Sequence, residues 1–323
     1  MTTQFREHAL ELPSSPGGER LDAQLARLLP QYSRSRLAAW IREGAVRVAG
    51  RAARPAEKVF GGEAVTVRAT LELDDSVAAE AIPIDFVHTD PDLAIVNKPA
   101  GLVVHPGAGN RAHTLQNALL AWDPQLAVLP RAGLIHRIDK DTSGLLVVAR
   151  TLEAHVALTR QLGEREIHRE YLALCVGRLT GGGTVDKPLG RHRTDRLRMA
   201  IREDGREAVT HYRLAERFRA HTLLRVQLET GRTHQIRVHM AHLGYPLVGD
   251  PLYGGRRQLT AGMTPAVRAA LKAFRRQALH ATKLELEHPG TGETLRFEAP
   301  VPADFAALLE VLRADALLEA AAG

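Results

Sequence analysis

The amino-acid sequence predicts an α+β protein, with a mixed, mainly antiparallel sheet in a large domain that follows a small N-terminal α/β domain. Three observations lead there. Beyond residue 85, strand-like segments are separated by hairpin signals such as "HPGTGE" more often than by regular βαβ crossovers. Residues 19–70 instead read as two short helices followed by strands. Between them the charge reverses: Glu19 to Arg68 holds ten Arg or Lys against five acids, whereas residues 71–92 hold seven acids and no Arg or Lys. The expected organisation is an N-terminal tail (1–18), a small basic domain (19–70), a linker (71–84) and the main domain (85–323).

Each element has a local reason. "RLDAQLARLLP" spaces Leu21, Leu25 and Leu28 as a helix does and stops at Pro30. Ser33 or Ser35 can cap a second helix, "SRLAAWIREG", which Gly44 ends. "AVRVAG" and "EAVTVRAT" then alternate apolar and charged residues as strands do. In the main domain "LAIVN", "GLVVH", "SGLLVVAR", "EYLALCVG", "VTHYRLAERF", "TLLRVQLET", "ALHATKLELEH" and "ETLRFEAP" read as strands. "EAHVALTRQLGER", "THQIRVHMAHLG", "TPAVRAALKAF" and "PADFAALLEVLRADALLEA" read as helices. No fixed-period repeat or low-complexity tract is visible.

Composition narrows the function. With 323 residues, 45% hydrophobic and 25% charged, the chain is an ordinary globular protein with ample core. A single cysteine, Cys175, excludes an intrachain disulfide and any CxxC motif, as suits a reducing cytoplasm. No apolar stretch is long enough for a membrane span, and the first twenty residues carry no secretory signal. The net charge of +6 favours a polyanionic partner. Arg34, Arg36 and Arg42 lie on or beside the second helix and Arg47 on the strand after it. They suit phosphate contact, or simply a solvated face.

The chemistry-bearing stretch is "GLIHRIDKDTSGLL". It packs His136, Arg137, Asp139, Lys140 and Asp141 between two apolar runs, where charges are rare unless paired or used. Asp139 lies between Arg137 and Lys140. An ordinary carboxylate, with a pKa near 3.9, is ionised at neutral pH and makes a poor general acid. That leaves an ion pair capping a turn, an electrostatic anchor or a nucleophile. In "ETGRTHQIRVHMAHLGYPLVGDPLYGG", Ile236, Met240 and Leu243 form one apolar helix face, with Thr230 or Thr233 available as cap. His234, His239 and His242 invite a zinc reading, but their offsets of five and three lack the i, i+4 pair of an HExxH helix. Lys98 sits at a strand–turn–strand unit, "VNKPAGLVVHPG", whose glycines match no nucleotide-cradling loop. Tyr171, on an apolar strand, reads as core.

Taken in chain order, "VNKPAGLVVHPGAGN", "HRIDKDTSGLLVVAR", "REYLALCVG", "GGTVDKPLGRH", "AVTHYRL", "LETGRTHQIRVHMAHLGYPLVGDPLYGG" and "RQALHA" resemble the RluA-type family of pseudouridine synthases. The likeness spans Leu93 to His280. Residues 19–68 resemble the small RNA-binding domain named after a ribosomal small-subunit protein. Two departures are Ile138, where the family pattern shows leucine, and His168, where a small polar residue is usual.

The resemblance implies a pseudouridine synthase fold and the isomerisation of uridine in a large-subunit ribosomal RNA stem-loop or pre-ribosomal particle. It implies Asp139 as the nucleophilic aspartate, Tyr171 stacking on the target base and Arg237 pairing with the catalytic carboxylate. Arg137 would occupy the gap left by the flipped uridine. Lys98, His136, Thr233, His234 and Gln235, from the same motifs, are expected on the substrate side. The reaction breaks a C–N bond and makes a C–C bond without net electron change, so no cofactor and no metal are expected. The chain is expected to be a cytoplasmic monomer with no membrane partner. A non-catalytic RNA-binding or ribosome-assembly protein is the main alternative, beside a synthase for transfer RNA or another ribosomal site.

Overall fold

The structure, a computed structural model, describes residues 3–72, 77–107, 109–254 and 263–322. The N-terminal domain contains strand β1 (Thr3–Glu11), a short strand β2 (Glu19–Arg20), helices α1 (Leu21–Leu28) and α2 (Arg34–Arg42), and strands β3 (Val46–Val48), β4 (Arg51–Ala52), β5 (Lys58–Val59) and β6 (Ala64–Glu72). Leu21, Leu25, Leu37 and Ile41 bury the inner helix faces against Val46, Val48, Val65 and Val67. Ser33 is the cap of α2, its side chain accepting from the Arg36 amide.

Two domain boundaries need correction. The segment expected as a tail begins with β1, which pairs along its whole length with β6 in a four-stranded sheet ordered β1-β6-β3-β4. Its sequence, TQFREHALE, has no regular apolar alternation to announce a strand. The expected linker begins as the last residues of β6, and residues 73–76 lie outside the described residues. Further on it is tied down, since Asn117 donates to the Ala78 carbonyl and Glu80 accepts from the His113 amide.

The larger domain starts with β7 (Phe86–Thr89), β8 (Leu93–Lys98) and α3 (Leu115–Trp122), followed by β9 (Ser143–Ala149), α4 (Leu152–Gly163) and β10 (His168–Val176). Then come β11 (Gly183–Asp186), β12 (Leu189–Arg191), β13 (Met199–Ile201), β14 (Val209–Arg217) and β15 (His221–Leu228). Helices α5 (Gln235–His242) and α6 (Pro265–Ala273), strands β16 (Leu279–Glu287) and β17 (Thr294–Glu298) and helix α7 (Ala303–Ala322) complete it. The main sheet runs β11-β14-β15-β10-β16-β9-β8-β7, with β17 added to β16. Every strand pairing in it is antiparallel except one: β9 lies parallel to β16, His280 opposite Ser143 and Ala281 opposite Gly144. The mixed, mainly antiparallel sheet is therefore as the sequence predicts.

The "GLVVH" strand does not form. Pro99 and Pro106 flank it, and its carbonyls are used elsewhere: those of Val103 and Val104 accept from the Leu115 and Gln116 amides at the start of α3. Helix α3, six of whose eight residues are buried, is not expected from the sequence reading. A Thr114–Asn117 capping box starts it.

Asp22, in the first turn of α1, accepts from Arg20 at 3.1 and 2.9 Å and from Arg34 at 3.0 Å. The Arg20 bonds foremost, and then Arg34, hold this carboxyl down at about 2 despite its burial. A carboxyl depressed on folding contributes stability above its unfolded pKa, and that contribution disappears as pH falls through the folded value. Asp22→Asn should therefore lower stability by roughly 1–2 kcal/mol at neutral pH. Thermal melts should show the gap between variant and wild type closing between about pH 4 and pH 2, with no change above pH 5.

Candidate active site

The turn carrying Asp139 is fastened from beneath. Lys98, with no exposed surface, aims its ammonium at the carbonyls of Pro99, Leu102 and Lys140, at 2.7, 2.8 and 2.9 Å. Gly101 donates to the same Lys140 carbonyl, Thr142 donates to the Asp139 carbonyl, and Arg276 donates to that of Asp141. Burial lowers the Lys98 pKa to about 7, against the opposing fields of Asp141 and Asp139. Lys98 thus belongs to the scaffold under the turn and does not face the cleft, which corrects its placement on the substrate side. At the next step Gly144 (φ +115°) lets β9 meet β16: a Cβ there would come within 2.2 Å of the Ala281 carbonyl oxygen.

Asp139 is not held by its sequence neighbours. Arg137 and Lys140 are exposed, and the bond is made by Arg237 on α5, whose Nη1 donates to Asp139 Oδ2 at 2.9 Å. The other edge of the Arg237 guanidinium donates to both Asp250 oxygens, at 2.7 and 2.9 Å. Arg237 is 3% exposed and Asp250 is equally buried. Burial opposes the Arg237 charge, but the bonds to Asp250 and the field of Asp139 outweigh it and raise its pKa above the ordinary arginine value. The Tyr253 ring stacks under the same guanidinium at 5.1 Å, and Arg198 covers that ring at 5.2 Å. Asp250 and Tyr253 received no role from sequence. Their only signal is an acid and an aromatic within the glycine-rich "VGDPLYGG".

The cap of α5 differs from expectation. His234 starts the helix in a left-handed conformation (φ +57°), and neither threonine caps it. Thr230 donates to Gln235 and accepts from the Val209 amide. The strained His234 brings its Nε2 to 3.9 Å from Asp139 while Nδ1 meets the Tyr253 hydroxyl at 2.9 Å. Burial lowers the His234 pKa, so this contact is not an ion pair at neutral pH. Gln235 is buried in bonds to Thr230, Thr210, the Arg232 amide and the Val209 carbonyl. It orders the loop before α5, with both amide hydrogens donated within the protein, and it also lines the pocket beside Asp139. His239 is spent on Thr210 and the Lys187 carbonyl, so His234, His239 and His242 do not converge.

Tyr171 lies on β10 where a bulge against β16 shifts the register between Glu170 and Tyr171. Bulges beside active sites re-aim side chains. The ring is 5% exposed and lines, with Asp139, Arg137, Thr233, His234 and Arg237, a pocket of ≈ 50 Å³. Burial pushes its phenol pKa up, which disfavours the ionised form. The pocket leads into an open groove of ≈ 610 Å³ lined by His136, Arg131, Arg165 and others, and Arg137, Arg169, Gly231 and Arg232 border both. His136 faces the groove and accepts from the Val147 amide. In the N-terminal domain Arg34 is committed to Asp22 and Arg47 to the Gly50 carbonyl. Arg36 and Arg42 are exposed and make no ion pair among the described residues.

Replacing Arg237 by Met leaves Asp139 and Asp250 without their buried cation, which should cost roughly 3–5 kcal/mol in urea unfolding. Pairing that change with Asp250→Leu should recover part of the loss without restoring turnover.

Residues 92–242 match the family model described as RNA pseudouridylate synthase, and residues 19–65 match the S4 domain. The chain is similar to the Xanthomonas campestris pv. campestris protein named Ribosomal large subunit pseudouridine synthase D, 57% identical over 94% of this chain and 92% of that one. It is also similar to the Escherichia coli (strain K12) protein of the same name, 53% identical over 92% of each. Among solved structures, Human RNA Pseudouridylate Synthase Domain Containing 4 aligns with a TM-score of 0.56 at 27% identity, covering 71% of this chain and 93% of that one.

Proposed function

The chain belongs to the RNA pseudouridylate synthase family, and we propose that it isomerises uridine in large-subunit ribosomal RNA, with Asp139 as the reacting carboxylate and no cofactor. The observation that carries this reading is the 2.9 Å bond from Arg237 to Asp139 at the mouth of the pocket that Tyr171 lines. The guanidinium aims one carboxylate oxygen and leaves the other free for substrate.

The target nucleotide must leave its stack, at a cost on the order of a few kcal/mol. Arg137, exposed at the rim, fills the vacancy, and the Tyr171 ring stacks on the extruded base. Asp139 then drives cleavage of the C–N glycosidic bond, by attack at the anomeric carbon or at ring carbon six. The uracil turns and forms a C–C bond through carbon five as the carboxylate is released; the carbon-five proton is lost to water and ring N1, no longer bonded to the ribose, takes one up. Atoms and electrons balance without an oxidant, reductant or metal. The raised pKa of Tyr171 favours stacking over proton abstraction. Arg36 and Arg42 supply phosphate contacts remote from the chemistry.

Asp139→Asn should keep RNA affinity and lower tritium release from carbon-five-labelled uridine by about a thousandfold or more. Release at a near wild-type rate would remove Asp139 from the chemistry. Arg36→Gln with Arg42→Gln should leave kcat unchanged and flatten log KM against log salt by roughly 0.7–0.9 per lost phosphate contact. An unchanged slope would take the N-terminal helix out of RNA binding.

A further inference from the structure

Arg169 is a buried cation with nothing to neutralise it. It is 6% exposed, and among the described residues its guanidinium makes no hydrogen bond and no ion pair. Its Nε is shut off from solvent without an acceptor. The neighbouring groove arginine, Arg165, shows the ordinary arrangement, pairing with both Glu207 and Glu229. Arginine stays protonated, so Arg169 cannot escape this cost by giving up its proton.

Its surroundings offer space rather than a partner. Arg169 and Tyr171 are two residues apart on one strand, so both face the same side, about 6.6 Å apart along it. That spacing is on the scale of one nucleotide. Gly231 keeps room for the guanidinium, since a Cβ there would come 2.9 Å from Arg169 Nη1. Its field is felt by Tyr171 and His136, and the acids that share its cavities are already paired, Glu207 and Glu229 with Arg165 and Asp139 with Arg237. His136 is held neutral by burial and by Arg169 itself, and its Nδ1 also lacks a partner. Arg169 borders both the Asp139 pocket and the wide groove.

A charge kept buried and unpaired weakens the free protein, and such a cost is characteristic of groups reserved for a ligand. We propose that Arg169 clamps the phosphodiester next to the uridine that enters the Asp139 pocket, with Gly231 kept bare to make room for it. The planar guanidinium fork matches two non-bridging phosphate oxygens. This inference rests on the reading that RNA is the substrate, and it gives that substrate a fixed register: base on Tyr171, phosphate on Arg169.

The test uses full-length protein with a large-subunit ribosomal RNA transcript tritiated at carbon five of uridine. Arg169→Gln should raise KM about ten- to a hundredfold, leave kcat within about threefold, and flatten log KM against log salt by about 0.7. Its melting temperature should be unchanged or higher, because a buried unpaired charge has been removed. Arg169→Lys should restore most of the salt slope. Gly231→Ala, which displaces the guanidinium and keeps the charge, should raise KM to an intermediate value. A fall in kcat with KM and slope unchanged would overturn the proposal and assign the guanidinium to the reacting base. A lowered melting temperature with wild-type KM in the folded fraction would also overturn it and make Arg169 structural. Failure of the wild-type protein to release tritium would instead sink the functional reading on which the inference stands.

Discussion

A single guanidinium, Arg237, joins two carboxylates that lie far apart along the chain, and the site depends on that junction. Asp250 saturates one edge of it and Tyr253 one face, which leaves a single direction open, toward Asp139. Such an assembly is costly to bury and becomes favourable only when every partner is in place. Its geometry is therefore close to all-or-none. The Asp139 carboxylate is thereby kept from drifting.

The same logic recurs under the turn. Lys98 spends an ammonium on three backbone carbonyls, and Gly101, Thr142 and Arg276 secure what remains of the loop. Buried polar groups with every bond satisfied rigidify a segment that has no regular secondary structure. The exposed cations at the rim, Arg137 among them, stay free to follow a flexible polyanion.

Much of this was legible in the sequence, for identifiable reasons. Strand-like apolar segments located β8, β9, β10 and β14 to β17, and helix-like segments located α1, α2 and α4 to α7. Helix α3 went unread, and the proline-flanked apolar residues read as a strand serve instead as a helix-capping loop at Val103 and Val104. Motif resemblance singled out Asp139, Tyr171 and Arg237, yet spacing alone could not show that the partner of Asp139 lies on α5 rather than beside it. Lys98, which lies under the turn and not in the cleft, was misplaced because a polar residue in a motif looks the same whether it touches substrate or props the backbone. Asp250, Tyr253 and Arg169 acquire meaning only once strands distant in sequence are brought together.

The one parallel seam in the sheet has a consequence for when the protein matures. The edge of β9 that leads out of the Asp139 turn rests on β16, and Gly144 fits against Ala281 with no space to spare. Well over a hundred residues must be synthesised between the two, and so long a closure comes late in folding. A chain still emerging from the ribosome already holds Asp139, Tyr171 and Arg237, but not the strand that seats them. The turn that carries Asp139 is therefore finished only once a strand more than a hundred residues further along has paired beside it.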